Sequence, residues 1–283
     1  NEVPIVITNY QRSGPSTGLP TKTEQSDLLQ AMFGRNGECP MVIIAPQSPE
    51  DCFLTAYEAS KIALEFMIPV MILSDGYVAN GSEPWKIPEF SKLPSINPNM
   101  SKDSNSFNPY DHDKKTLARK WAIPGMKGFE HRVGGLEKEN ISGNVSYDPE
   151  NHHYMVKHRQ KKVDIIANYI PKVEPFGDSS GELLVLGWGG TYGAIRSAIV
   201  KAQAKGYSVS HLHLRHINPF PLNLGEILVN YENILIPELN LGQLDMLIRA
   251  RFLINTIGYN KIAGKPFTST EILDKIEKII KDK

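Results

Sequence analysis

Along the first eighty residues, apolar positions fall into three short β-branched-rich runs, Pro4 to Thr8, Met41 to Ala45 and Pro69 to Leu73. The segments between them are polar and apolar at helical spacing and long enough for right-handed crossovers, which predicts a parallel sheet. Thr21 and Glu24 have the spacing of a capping box, and Gly34 follows the last turn of the helix they would open. Ser48 with Pro49, Glu50 and Asp51 marks a second helix start, and Phe53, Ala56, Ala63 and Met67 recur on one face of it. Residues 81 to 110 are rich in Pro, Ser and Asn and predict a long surface excursion, and residues 111 to 160 continue it in polar form. A second pattern begins near Gly181, with a buried strand over Glu182 to Gly187 and the turn Trp188-Gly189-Gly190-Thr191-Tyr192-Gly193. It continues with a helix over 194–205 and strands over 208–214 and 233–237. A helix over 242–254 follows, and a closing amphipathic helix begins at the capping pair Thr268 and Glu271. The expected organisation is therefore 1–80, a loop-rich insert and linker over 81–180, and a second α/β domain over 181–283.

Composition narrows the possibilities. The chain is 41% apolar and 22% charged, a globular profile. Lys plus Arg number 31 and Asp plus Glu 31, so no field of one sign gathers nucleic acid or an anionic membrane. The longest apolar runs fall far short of the ~20 residues that span a bilayer, and the first residues do not form a signal peptide; a cytoplasmic protein is expected. The two cysteines, Cys39 and Cys52, read as reduced, buried small hydrophobes, and without a CxxC pair this chain does not hold an iron–sulfur cluster by itself. Five of the eight histidines lie at 112, 131, 152, 153 and 158, with no ligand set of a zinc site; His152-His153 is the pair to test, and no metal is assigned. Asp75, at the end of a strand, reads as a turn or cap residue, and Glu238 and Asn240 as interface residues.

The segment Gln11 to Gln25 follows a strand and leads to a helix, at the carboxyl edge of the sheet, where open α/β folds bind ligands. A guanidinium there forks onto a carboxylate or phosphate, so Arg12 with hydroxyls from Ser16, Thr17 and Thr21 forms one candidate anion subsite. Two glycines and two prolines shaping a tight turn, with Arg12 a surface charge, explain the same residues equally well. Gly187-Trp188-Gly189-Gly190 lacks the GxGxxG spacing, and a structural turn is preferred to a nucleotide site.

The run QRSGPSTGLPTKTEQSDLLQAMFGRNG, Gln11 through Gly37, resembles the signature of the alpha subunits of 2-oxoglutarate:ferredoxin (acceptor) oxidoreductases. Asp75-Gly76-Tyr77 with Glu83-Pro84-Trp85, Trp121 to Gly125, Glu130-His131-Arg132 and Pro237 to Gln243 agree in order, so the resemblance covers essentially the whole chain. It implies an incomplete thiamine-enzyme pyrimidine-binding domain with a parallel sheet, followed by a transketolase carboxy-terminal-like α/β domain. It implies oxidative decarboxylation of 2-oxoglutarate to succinyl-CoA with reduction of ferredoxin; alternatives are pyruvate or another 2-oxoacid, or a non-catalytic assembly module. Thiamine diphosphate and Mg would be shared with a beta subunit, and an iron–sulfur cluster would lie in a partner. By the same resemblance Arg12 binds the 2-oxoacid carboxylate, with Thr21 near the same substrate; Ser16 joins them as a substrate-binding candidate from the anion-subsite reading, and the distal carboxylate would fall to the Lys22 region or the beta subunit. The family's Tyr-Pro-Ile-Thr-Pro segment and aminopyrimidine-protonating glutamate are not in the sequence, nor is its GDG metal–diphosphate motif, so no catalytic residue is assigned and the chain alone is expected to be inactive.

Overall fold

The computed structural model describes residues 1–282. In chain order, β1 (Ile5–Gln11), α1 (Leu28–Phe33), β2 (Val42–Ile44), α2 (Asp51–Phe66), β3 (Pro69–Asp75) and α3 (Gly76–Ala79) form the first part. A mostly irregular excursion leads to α4 (Pro149–Ile166). Then come β4 (Gly181–Trp188), α5 (Tyr192–Ala204), β5 (Val209–Leu214), β6 (His216–Asn218), α6 (Leu224–Leu228), β7 (Tyr231–Glu238), α7 (Gln243–Phe252), β8 (Ile257–Asn260) and α8 (Ser269–Lys281). Two four-stranded sheets result, ordered β1-β3-β2-β6 and β5-β4-β7-β8. The second is parallel throughout; in the first, β1, β3 and β2 are parallel and β6 pairs antiparallel to β2. The fold is thus α/β with parallel sheets, as the hydrophobic runs predict.

Burial explains the strand runs. All of β2 and the carboxyl half of β3 are buried on both faces, which parallel strands between helices require. β1 alternates and leaves Ile5 half exposed, the pattern of an edge strand. One apolar cluster packs Val42, Ile44, Val70 and Ile72 against α2 and α4; another packs Leu183, Val185 and Leu235 against α5 and α8. A third belongs to both halves, joining Leu28, Ile43 and Leu73 to Leu186, Trp188, Leu214, Ile236 and Leu244.

Local signals hold where side chains meet only their own helix. Thr268 Oγ1 accepts from the Glu271 N–H at 3.2 Å and the Glu271 carboxylate accepts from the Thr268 N–H at 2.7 Å, the expected capping box. Ser48 Oγ accepts from the Asp51 N–H at 3.3 Å at the start of α2. Other expectations are corrected. Thr21 has φ +64°, so no helix starts there, and α1 begins only at Leu28. Gly34 does end that helix, with an ordinary φ of −80°. The buried face of α2 is Thr55, Ala59, Ile62, Ala63 and Phe66, and Ala56 is exposed. Cys39 is exposed and Cys52 half-buried, so neither is the fully buried hydrophobe expected. The polar stretch before 160 hides α4, capped by Asp148, whose carboxylate accepts from the Asn151 N–H at 2.7 Å. Its buried stripe, Met155, His158, Lys162, Val163 and Ile166, includes two ionisable residues, which mask its period. β6, β8 and α6 are further elements that sequence patterning missed. Among the described residues no helix is long and apolar enough to cross a membrane.

Asp75, at the end of β3, caps α3 as expected and also reaches the other sheet. It accepts from Tyr77 N–H (2.9 Å), Val78 N–H (3.2 Å), Thr23 Oγ1 (3.2 Å) and, across the two sheets, Gly190 N–H (2.6 Å). A Cβ on Gly190 would lie 2.6 Å from both Asp75 carboxylate oxygens, so only glycine permits this approach. The glycines after β4 therefore serve contact between the sheets, in agreement with their reading as a structural turn. Gly190→Ala is expected to destabilise the fold by about 1–3 kcal/mol through overpacking, read as a lowered urea midpoint at unchanged m-value.

Candidate functional site

The carboxyl end of β1 and the loop over residues 12–27 border an open cleft of about 610 Å³. Its lining includes Asn9, Tyr10, Arg12, Ser16, Glu24, Ser26 and Asp27 from the first part and Asn240, Leu241, Gln243 and Ile262 from the second. The loop is pinched shut at its base: Ser13 N–H donates to the Lys22 carbonyl at 2.9 Å, and Arg12 and Thr23 form an isolated antiparallel bridge. Gly18, at φ +50°, turns the tip where a Cβ would overlap the Ser13 carbonyl.

Of the residues singled out from sequence, Arg12 and Ser16 line the cleft, whereas Thr21 is exposed outside its lining. The Arg12 guanidinium curls back on its own loop, donating to the carbonyls of Ser13 (3.1 Å), Ser16 (2.5 Å) and Thr17. It is the only Lys or Arg among the lining residues, which also carry two carboxylates. Asp27 is satisfied, accepting from Asn9 Nδ2 at 3.0 Å and Ser26 Oγ at 3.1 Å. Glu24 is 8% exposed and forms no capping box with Thr21; it lines the cleft instead, a site residue that sequence spacing disguised as a helix signal. Asn240 and Gln243 also reach the cleft, through a contact of the two halves that no local pattern encodes.

Glu238, fully buried, accepts from the N–H groups of Leu244 (2.8 Å) and Asp245 (3.0 Å) in the first turn of α7, from Asn240 Nδ2 (3.0 Å) and from Trp188 Nε1 (3.2 Å). It therefore braces the start of a helix inside the chain, which corrects its reading as a subunit-interface residue. Burial pushes the carboxyl groups of both Glu238 and Asp75 above their ordinary range, against the pull of the donated hydrogen bonds.

The histidines distribute differently from the pairing singled out for testing. His152 pairs with Glu137 at 2.6 Å, while His112 and His158 come together with Glu2, offering three ligand atoms within 4.8 Å of one another. Lys162 already places its ammonium 2.6 Å from the Glu2 carboxylate, and Arg119 Nε donates to the Glu2 carbonyl at 3.2 Å. The cluster thus contains its own counter-cation, and a dication would be repelled there. His211 and His213, on one face of β5, pack against Tyr192 and carry ring nitrogens without a hydrogen-bond partner.

This fold has counterparts in known proteins. Residues 1–147 match the family described as pyruvate flavodoxin/ferredoxin oxidoreductase, thiamine diphosphate-binding, and the chain belongs to that family. It is 52% identical over 274 residues to the 2-oxoglutarate oxidoreductase subunit KorA of Mycobacterium tuberculosis, a match covering 96% of this chain and 41% of that protein. Subunit alpha of 2-oxoacid:ferredoxin oxidoreductase 1 from Aeropyrum pernix is 32% identical over 241 residues, 82% of this chain and 37% of that one. In structure the chain superposes on the 2-oxoglutarate:ferredoxin oxidoreductase of Magnetococcus marinus, with 2-oxoglutarate, coenzyme A and succinyl-CoA bound. The TM-score is 0.91 at 29% identity, covering 98% of this chain and 49% of that one. The chain spans between 37% and 49% of the length of these relatives.

The buried imidazoles give the fold a defined acid response. Burial, with a smaller push from Arg196, takes His211 down to about 3, and burial takes His213 well below the usual histidine range. The unfolded chain then binds more protons below pH 6.5, so the stability these groups contribute is complete above that pH and declines as pH falls toward 3. Between pH 6.5 and 5, His211 alone is expected to cost about 2 kcal/mol. Urea unfolding at the two pH values measures it, and His211→Phe should flatten the dependence.

Proposed function

We propose that this chain is part of the alpha subunit of a cytoplasmic thiamine diphosphate-dependent oxidoreductase that converts 2-oxoglutarate and coenzyme A to succinyl-CoA and carbon dioxide, with ferredoxin taking the electrons. Residues 1–80 would then belong to the pyrimidine-binding domain and 181–283 to the second α/β domain, with 81–180 as the insert. The observation that carries the reading is Arg12, the lone Lys or Arg in a cleft at the carboxyl edge of a parallel sheet. The likeness to the M. marinus enzyme over 98% of the chain supports the same chemistry.

Arg12 holds the carboxylate of the 2-oxoacid, with the Ser16 hydroxyl beside it and Thr21 at the foot of the same loop. Binding exchanges hydrogen bonds to neutral carbonyls for a forked, charge-assisted pair, which is the stronger interaction. The gain is positional: the keto carbon is held in one place against the reacting centre. Thiamine diphosphate, when bound, supplies the carbanion chemistry. One guanidinium set among two carboxylates does not fit a diphosphate, so diphosphate and Mg fall to the beta subunit, as does the iron–sulfur cluster. The lone cation also leaves the distal carboxylate of 2-oxoglutarate without a partner in this cleft, so Lys22 or the beta subunit supplies it; pyruvate would need none.

A second reading has its own support. The Arg12 guanidinium is already engaged by three carbonyls, which suits a purely structural loop in an assembly module. Arg12→Met in the complete complex separates the two. The catalytic reading expects KM for 2-oxoglutarate to rise about ten- to a hundredfold, the loss of one charged hydrogen-bonding partner. Unchanged KM and turnover would remove Arg12 from the site.

A further inference from the structure

We infer that Gln25 is a positioning residue through which the second sheet sets the geometry of the Arg12 loop; the inference rests on the anion-binding role proposed above for Arg12. Gln25 is fully buried and spends every polar group it has on the second half of the chain. Its N–H donates to the Leu239 carbonyl at 3.0 Å, and its carbonyl accepts from Asn240 Nδ2 at 2.8 Å. Its side-chain Oε1 accepts from the Leu239 N–H at 3.0 Å, and its Nε2 donates to the Trp188 carbonyl at 2.8 Å. Gln243 extends the clasp, with Nε2 donating to the Ser26 carbonyl at 2.8 Å and Oε1 accepting from the Leu29 N–H at 2.9 Å.

The loop has no comparable anchor of its own. Residues 14 to 22 are all exposed, so no buried side chain places the tip. Its placement is inherited from its base, where Arg12 bridges to Thr23 and the Arg12 carbonyl accepts from Ser26 Oγ at 3.3 Å. Thr23 and Ser26 lie on either side of Gln25, so displacing Gln25 loosens the returning limb that Arg12 bridges, with Thr23's bond to Asp75 the remaining tie. The position requires glutamine chemically: one end must accept from an amide and the other donate to a carbonyl. Glutamate would turn an oxygen on the Trp188 carbonyl, and methionine would leave both partners unmet.

Gln25 touches neither substrate nor cofactor in this scheme; it acts through Arg12, and the test is built on that distinction. In the complete complex, Gln25→Met and Gln25→Glu are compared with wild type by amide hydrogen exchange and by steady-state kinetics. Exchange within residues 13–22 is expected to accelerate about tenfold, the loss of one or two hydrogen bonds at the loop base, while β3 and α8 stay protected. KM for 2-oxoglutarate should rise about tenfold with kcat within about threefold, and Gln25→Met should add nothing further in an Arg12→Met background. A defect in packing alone would multiply with Arg12→Met, and that outcome, or unchanged exchange in 13–22, overturns the inference. Gln243→Met, which releases Ser26 and Leu29, replaces Gln25→Met if the latter does not assemble, with the same expectations. If Arg12→Met by itself leaves KM unchanged, the substrate role falls, and the exchange measurement still decides whether Gln25 positions the loop.

Discussion

A buried carboxylate holds this structure together. Asp75 ends the central strand of the first sheet, and desolvation there disfavours its charge. Four donors offset that cost, and they come from three places: the first turn of α3, the returning limb of the Arg12 loop at Thr23, and the glycine turn after β4 at Gly190. Removing any of these sources leaves a buried acceptor short of a partner, so the sheets and the loop are fixed relative to one another as a set. The apolar cluster shared by Leu73, Trp188 and Ile236 surrounds the joint and keeps water from it.

The cleft is a consequence of that joint. Its lining draws on β1, the loop and residues 240 to 243, so the site exists only when both halves are docked. Electrostatically it is economical, with one guanidinium, one satisfied aspartate and one glutamate without a hydrogen-bond partner among the described residues. On the function proposed above, such a site would orient an anion and leave the remaining charges of substrate and cofactor to another surface; the relatives are more than twice as long and are named as subunits. Arg12 rests on backbone carbonyls, neutral partners that on the proposed reading a carboxylate would displace.

Legibility followed the range of the interaction. Thr268 and Glu271 cap α8 because each finds its partner within one turn. Thr21 and Glu24 have the same spacing and do not cap, because Thr23 between them is claimed by Asp75 and Gln25 just after them by the second sheet, which pulls the backbone out of helix. α4 was hidden because Lys162 and His158 on its buried face are paired with a carboxylate and a carbonyl from distant segments, so its inner stripe reads as polar. β6 is too short to announce itself and is a strand only because β2 offers it an edge.

The sequence by itself determined the parallel α/β class, the strand runs, the helix starts governed by local caps and, through the Gln11–Gly37 signature, the family. Those features depend on side-chain period and on contacts a few residues apart, which any stretch of chain carries within itself. Tertiary structure alone decided that Arg12 folds onto its own carbonyls, that Glu24 faces a cleft, that Glu238 braces α7, and that Gln25 ties the loop to the far sheet. The Gln25 clasp depends on partners more than a hundred residues distant, the places of Glu24 and Glu238 on which groups are desolvated, and the Arg12 contacts on a loop conformation that no side-chain period encodes.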